Sequence, residues 1–212
     1  RLCHYGPNER YFSCSPNYAS NQILAVGRLT EKKAPYLTLL AFAEALKERP
    51  EIRLAIVGDG EVRGVCEDII IALGLQENVR LLGACSPDII EEEFNQSFLF
   101  VQHSVRATDG DCEGTPVSIL EAGAAALPVI STRHAGIVDV VNEGQTGLLC
   151  NERDIRAMKG NIIKCTDDRK LVQMMGEKAR RHVRENFSIE KHVNCLAKTL
   201  SLAVTQHRKC SE

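Results

Sequence analysis

The residues best suited to chemistry lie in loops that follow apolar runs. The first such loop is Gly27-Arg28-Leu29-Thr30-Glu31-Lys32-Lys33. An arginine fork and a lysine point charge five residues further on can clamp an anion. A solvated basic loop would have the same composition, so this stretch gains meaning only in company. The richest loop is Asp109-Gly110-Asp111-Cys112-Glu113-Gly114-Thr115-Pro116-Val117, followed by Glu121. It reads as a helix start, with Thr115 as N-cap and Pro116 as first helical residue. The N–H groups of Gly114, Thr115 and Val117 would then face out of a helix N-terminus, which attracts anions. Glu113 and Glu121 add carboxylates, acceptor-only groups suited to pairs of sugar hydroxyls. The flanks of Glu121 are apolar on almost every side, so a buried glutamate there needs a partner. Together these residues could recognise a ligand that has both phosphate and hydroxyl groups.

Other patterns are weaker. Asp109, Asp111 and Glu113 alternate like an oxygen-ligand motif for a hard cation, or like an acidic loop. Gly58-Asp59-Gly60-Glu61-Val62-Arg63-Gly64 approaches a dinucleotide fingerprint, but its third glycine comes one residue late. Turn chemistry accounts for it better. His103 and His134 follow strands as single histidines, structural or in contact with ligand. No nucleophile elbow or Ser/His/Asp arrangement is visible.

The elements that must hold these loops alternate regularly. Strands are expected at 22–27, 52–57, 78–82, 98–102, 128–131 and 146–150, mostly ended by glycine or polar loops. Helices are expected at 35–49, 61–73, 87–95, 115–126 and 135–142, with charged helices from 152 onward. Ser188 is the expected cap of the last one. Alternation of this kind implies an α/β protein with one doubly wound parallel sheet and helices on both faces. Ligands in such sheets sit at the C-terminal strand ends, here the loops after Val26, Val57, Leu82 and Gln102.

Composition narrows the classes. The net charge is −2, which argues against a nucleic-acid groove or a polybasic membrane surface. Hydrophobic residues at 44% and charged residues at 25% exclude a disordered chain. No apolar run approaches the roughly 18 residues of a membrane span. The nine cysteines include no close pair, so they read as reduced thiols in a cytoplasmic protein. The opening Arg1-Leu2-Cys3-His4 has neither initiator Met nor signal pattern, as expected of a piece of a longer chain.

Several of these motifs, taken in order, resemble glycosyltransferase family 4. They are Val26-Gly27-Arg28-Leu29 with Lys33, Gly58-Asp59-Gly60, Leu82-Gly83, Glu113-Gly114-Thr115-Pro116-Val117 with Glu121-Ala122, Leu127-Pro128-Val129-Ile130, and Gly144 with Thr146-Gly147-Leu148-Leu149. The resemblance implies the C-terminal, Rossmann-like half of a GT-B fold. Residues 1–20 would lead out of the missing N-terminal acceptor domain, 21–203 would bind a nucleotide sugar, and 204–212 would be a tail. It further implies retaining transfer of a hexose from a UDP- or GDP-sugar to a glycan or lipid-linked acceptor, with no metal and no other cofactor.

By that resemblance Glu113, Arg28 and Lys33 are catalytic. Arg28 and Lys33 hold the diphosphate beside Gly27 and Gly58. Gly114, Thr115, Pro116 and Val117 hold its distal phosphate. Gly83, Ala84 and Cys85 lie against the base, and Glu121 accepts from the ribose. The chain departs from the family at Ala34, where glycine follows the lysine, and at Asp139, where glutamate is common. A polysaccharide or lipopolysaccharide role would bring the full-length enzyme to the inner membrane from the cytoplasmic side. The fragment by itself would bind donor and transfer little sugar. Alternatives are an epimerase on the same scaffold and a non-catalytic nucleotide-binding module. The charged helices of 152–203 either cap the sheet or offer a partner surface, the last of them against the absent domain.

Overall fold

Ile23 and Leu24, adjacent in sequence, enter two different hydrophobic cores. The same alternation runs through Leu54, Ala55, Ile56 and Val57, and through Leu99, Phe100 and Val101. Side chains of a strand alternate between faces, so continuous apolar runs mean a sheet covered on both sides. In the computed structural model, which describes residues 5–210, these runs are the centre of one six-stranded sheet. The strands are β1 (Gln22–Val26), β2 (Arg53–Val57), β3 (Val79–Gly83), β4 (Leu99–Val101), β5 (Val129–Thr132) and β6 (Gly147–Cys150). Their order is β3-β2-β1-β4-β5-β6, and every pairing is parallel.

The helices are α1 (Pro35–Leu46), α2 (Arg63–Ala72), α3 (Pro87–Gln96), α4 (Val117–Ala124), α5 (Ile137–Val140), α6 (Ile155–Asp167), α7 (Arg169–Asn186) and α8 (Ile189–Cys210). Leu39 and Phe42 of α1, Cys66 of α2 and Ile162 of α6 cover one face of the sheet. Phe94 of α3, Ile119 of α4 and Ile137 of α5 cover the other. Crossover helices on both faces are what a parallel sheet requires. The doubly wound α/β architecture expected from the sequence is therefore present.

Local chemistry sets several helix ends. Asp154 accepts from Ala157 N–H at 2.9 Å and Asp168 from Leu171 N–H at 2.9 Å, capping α6 and α7. Ser188 Oγ accepts from Lys191 N–H at 3.2 Å, the cap expected there. The start of α4 differs from expectation. Pro116, not Thr115, is its N-cap, with φ −63° and ψ 119°. Gly136 N–H holds Gly114 O at 3.0 Å against the loop after β5. The backbone stays extended through Pro116 and turns helical at Val117.

The segment before β1 packs onto the domain. Tyr11 and Cys14 are buried in the second core, and Tyr18 OH donates to Ala126 O at 2.7 Å. Arg10 pairs with Asp88 and Glu91 of α3. Residues 1–4 of the expected arm lie outside the described residues. The tail expected over 204–212 falls partly within α8, and residues 211–212 lie outside the description. Cys14, Cys66, Cys85, Cys112, Cys150 and Cys165 are free thiols, whereas Cys195 is disulfide-bonded. The expectation of nine reduced thiols is corrected at Cys195, because spacing along a chain does not report which thiols the fold brings together.

Candidate functional site

A parallel sheet of this order reverses direction between β1 and β4, and a crevice opens where the loops diverge. Here the crevice is lined from β1 by Gly27, Arg28 and Leu29, and from β4 by Val101 and Gln102. Lys33 reaches back into it from a short 3-10 turn, Glu31–Lys33, and lies over Gly27. A Cβ on Gly27 would stand 3.0 Å from the Lys33 side chain, so glycine makes the room that the lysine occupies.

The loops after β1 and β2 are bonded to each other. Gly27 N–H donates to Val57 O at 3.0 Å, and Leu29 N–H to Asp59 O at 2.9 Å. Gly58 N–H donates to Gly83 O at 2.8 Å, which ties in the loop after β3. Gly58 has φ 137°, and a Cβ there would meet Gly27 O at 1.9 Å. Only glycine fits that close approach.

Lys33 Nζ stands 3.2 Å from Glu113 Oε2. Glu113 is 8% exposed, and its Oε1 has no hydrogen-bond partner. A buried, unpaired carboxylate oxygen beside a cation that itself lines the crevice is an acceptor in want of a hydroxyl donor. Glu121 lies one helical turn into α4. Burial pushes its carboxyl up to about 7, with Lys33 pulling the other way. The N–H groups of Val117 and Ser118, in the first turn of α4, have no acceptor within the helix. Arg28 is exposed at the mouth of the crevice.

The structure thus lines one crevice with Gly27, Arg28 and Lys33, pairs Lys33 with Glu113, and sets Glu121 within electrostatic reach of Lys33, with Gly114, Thr115, Pro116 and Val117 between the two glutamates in the chain. Gly58 and Gly83 support it from beneath. Ala84 and Cys85 stand further off on the β3 side, where Cys85 Sγ turns back to Leu82 O and Gly83 O. The D-x-D look of the loop resolves into other contacts. Asp111 Oδ2 pairs with Lys32 at 2.9 Å, and Asp109 Oδ1 accepts from Asp111 N–H at 2.8 Å. That hydrogen bond to Lys32 holds the Asp111 carboxyl below its usual range. Among the described residues, no three His, Cys, Asp or Glu side chains gather as a metal cluster.

Sequence reasoning pointed to the loop after Gln102 but missed Pro35 and Thr38 of α1 in the crevice wall, since neutral residues in a helix's first turn leave no signal. It also missed the partners of the two histidines. His103 Nε2 accepts from Arg153 N–H at 2.8 Å, and His134 Nε2 from Glu113 N–H at 3.1 Å. Burial pushes the His103 imidazole down to about 4, so it stays a neutral acceptor.

The strand order and the crevice at its reversal define a Rossmann-like α/β domain. Residues 14–182 match the family Glycosyl transferases group 1, and the chain belongs to that family. It is 31% identical over 143 residues to the amylovoran biosynthesis glycosyltransferase AmsK of Erwinia amylovora, covering 68% of this chain and 35% of that one. It is 32% identical over 154 residues to the N-acetyl-alpha-D-glucosaminyl L-malate synthase of Bacillus anthracis, covering 73% and 38%. The chain spans less than half the length of these curated relatives. Alr3699/HepE of Anabaena, solved with UDP and glucose, superposes with a TM-score of 0.82 at 20% identity. That superposition covers 95% of this chain and 56% of the other, and shows a shared fold. No helix among the described residues is long and apolar enough to cross a membrane.

Proposed function

We propose that the chain is the donor-binding part of a retaining glycosyltransferase, which passes a hexose from a nucleoside-diphosphate sugar to a glycan or lipid-linked acceptor without a metal. The observation that carries this reading is the pairing of Lys33, which lines the crevice, with Glu113, whose Oε1 has no partner. Lys33, Arg28 and the first turn of α4 would stabilise the negative charge that grows on the departing diphosphate. Glu113 would accept from sugar hydroxyls and sit close to the positive charge of an oxocarbenium-like transition state. Glu121 would accept from the ribose, and the loop at Gly83, Ala84 and Cys85 would face the base. UDP is the favoured nucleotide, because the related fold of HepE was solved with UDP and glucose. The acceptor would be bound by a further domain, leaving this chain to bind donor.

Calorimetric titration with UDP, GDP and ADP, first in EDTA and then with Mg²⁺, tests the site. Binding of one nucleotide in EDTA is expected. Binding that needs Mg²⁺ would overturn the metal-free reading. In the complete enzyme, a product anomer matching the donor's supports retention, and an inverted one rejects it.

A further inference from the structure

His134 joins the loop that bears Glu113 to the turn between β6 and α6. Its Nδ1 lies 2.6 Å from Glu152 Oε1, and its Nε2 lies 3.1 Å from Glu113 N. Glu152 Oε2 accepts from Arg106 N–H at 3.0 Å. Burial pushes the Glu152 carboxyl up, and the hydrogen bonds from His134 and Arg106 outweigh it, leaving it below its usual range. An ionised carboxylate only accepts, so His134 Nδ1 must donate to it. The proton on Nδ1 leaves Nε2 with its lone pair, which the Glu113 N–H meets. Glu152 thus sets the tautomer through which His134 grips Glu113.

The grip is rigid at both ends. His134 is 3% exposed, its own N–H donates to Thr132 O at 2.8 Å, and its carbonyl accepts from Ile137 N–H at 3.0 Å. Residues 152 and 153 are fixed in turn by the bond from Arg153 N–H to His103. One residue beyond Glu113, Gly136 N–H holds Gly114 O. Beside the His134 contact, Glu113 is steadied by the bond at Gly114 O and by its side chain's pairing with Lys33.

We propose that His134, oriented by Glu152, is a positioning residue for the donor sugar. It fixes the Glu113 peptide so that one carboxylate oxygen stays on Lys33 and the other stays free for a sugar hydroxyl. The sugar half of this proposal rests on the donor-site reading above. The diphosphate would be held by Arg28, Lys33 and α4, so a loosened Glu113 weakens the sugar nucleotide more than the nucleotide.

The test uses this chain and His134→Leu, His134→Asn, His134→Gln and Glu152→Ala. Amide exchange at Glu113 in the free protein reads the grip. Calorimetry with UDP and with UDP-glucose reads its consequence. His134→Leu should exchange about tenfold faster at Glu113, roughly the worth of one hydrogen bond. It should lose about fivefold or more affinity for UDP-glucose beyond any loss for UDP. Glu152→Ala should follow it. His134→Gln keeps an acceptor at the Nε2 position and should stay near wild type. His134→Asn is too short to reach, and it gives the same contrast as leucine if the leucine variant fails to fold.

Unchanged Glu113 exchange, equal losses for UDP and UDP-glucose, or a glutamine that fails to rescue would each overturn the positioning role. A wild-type chain that binds neither UDP nor UDP-glucose would overturn the donor-site reading, and the sugar role with it, while its Glu113 exchange still reads the grip.

Discussion

Lys33 and Glu113 meet at 3.2 Å, although they stand 80 positions apart in the chain. The lysine comes from the turn after β1 and the glutamate from the loop before α4. The pair couples stability to binding, because Glu113 is too buried to lose its cation freely. Lys33→Ala should therefore destabilise the fold by roughly 1–3 kcal/mol. It should also weaken nucleoside diphosphate binding about 10- to 100-fold. Adding Glu113→Gln should restore much of the stability and none of the affinity. Urea melts and titrations on the two variants measure both quantities. A double variant that regains affinity would reject the phosphate role of Lys33.

Glu121 makes stability depend on pH. Its folded carboxyl is raised from 4.5 to about 7 by burial. Between those values the folded state holds a proton that the unfolded state has lost, so stability falls as pH rises through the window. The cost is absent below about 4.5, complete above about 7, and up to about 3 kcal/mol. Glu121→Gln never ionises and should gain on wild type as pH rises from 5 to 8. Urea midpoints at four pH values decide this, and parallel curves for the two proteins would contradict it.

Ala34 occupies the left-handed region, with φ 39° and ψ 52°, and it is fully buried. The conformation suits glycine, and alanine tolerates it at about 1–2 kcal/mol. Ala34→Gly relieves that strain but loses a buried methyl, worth about 0.8 kcal/mol, and adds freedom to the unfolded chain. The net change should be under about 1 kcal/mol. Ala34→Val, β-branched in the same region, should cost more than about 2 kcal/mol. Thermal unfolding of the two variants separates them, and equal losses would refute the conformational account.

Gly58→Ala should be among the most damaging small substitutions. It combines φ 137° with a contact of 1.9 Å to Gly27 O, and the loops after β1 and β2 would have to part. A loss above about 2 kcal/mol is expected, with nucleotide affinity falling alongside. Gly144→Ala is the control, at φ 72° with open space around it. It should cost only about 1–2 kcal/mol and leave binding intact. Similar affinity losses in both would mean that the approach of Gly58 to Gly27 does not shape the site.

Much of this molecule is legible in its sequence because the signals are local. Gln22–Val26 and Arg53–Val57 are apolar runs ended by glycine, and a run of that kind in an alternating chain has few other fates. Ser188 caps its helix as its type requires. Gly27, Gly58 and Lys33 stand where a strand tip would put them. The start of α4 lies one residue beyond the one its residue types suggest, because proline sets φ but leaves ψ free and Pro116 takes the extended ψ of 119°.

The succession of strands and helices, the covered sheet and the charged loops follow from local residue patterns, because periodicity and punctuation act over a few residues. Which charges meet depends on the packing of the whole domain. The strand order places the turn after β1 against the loop before α4, so Lys33 finds Glu113. It brings the turn after β6 under His134, so one histidine among six becomes the acceptor for the Glu113 peptide. Such pairings depend on how elements stack, and the free energy that fixes them comes from the whole buried core rather than from any segment of the chain.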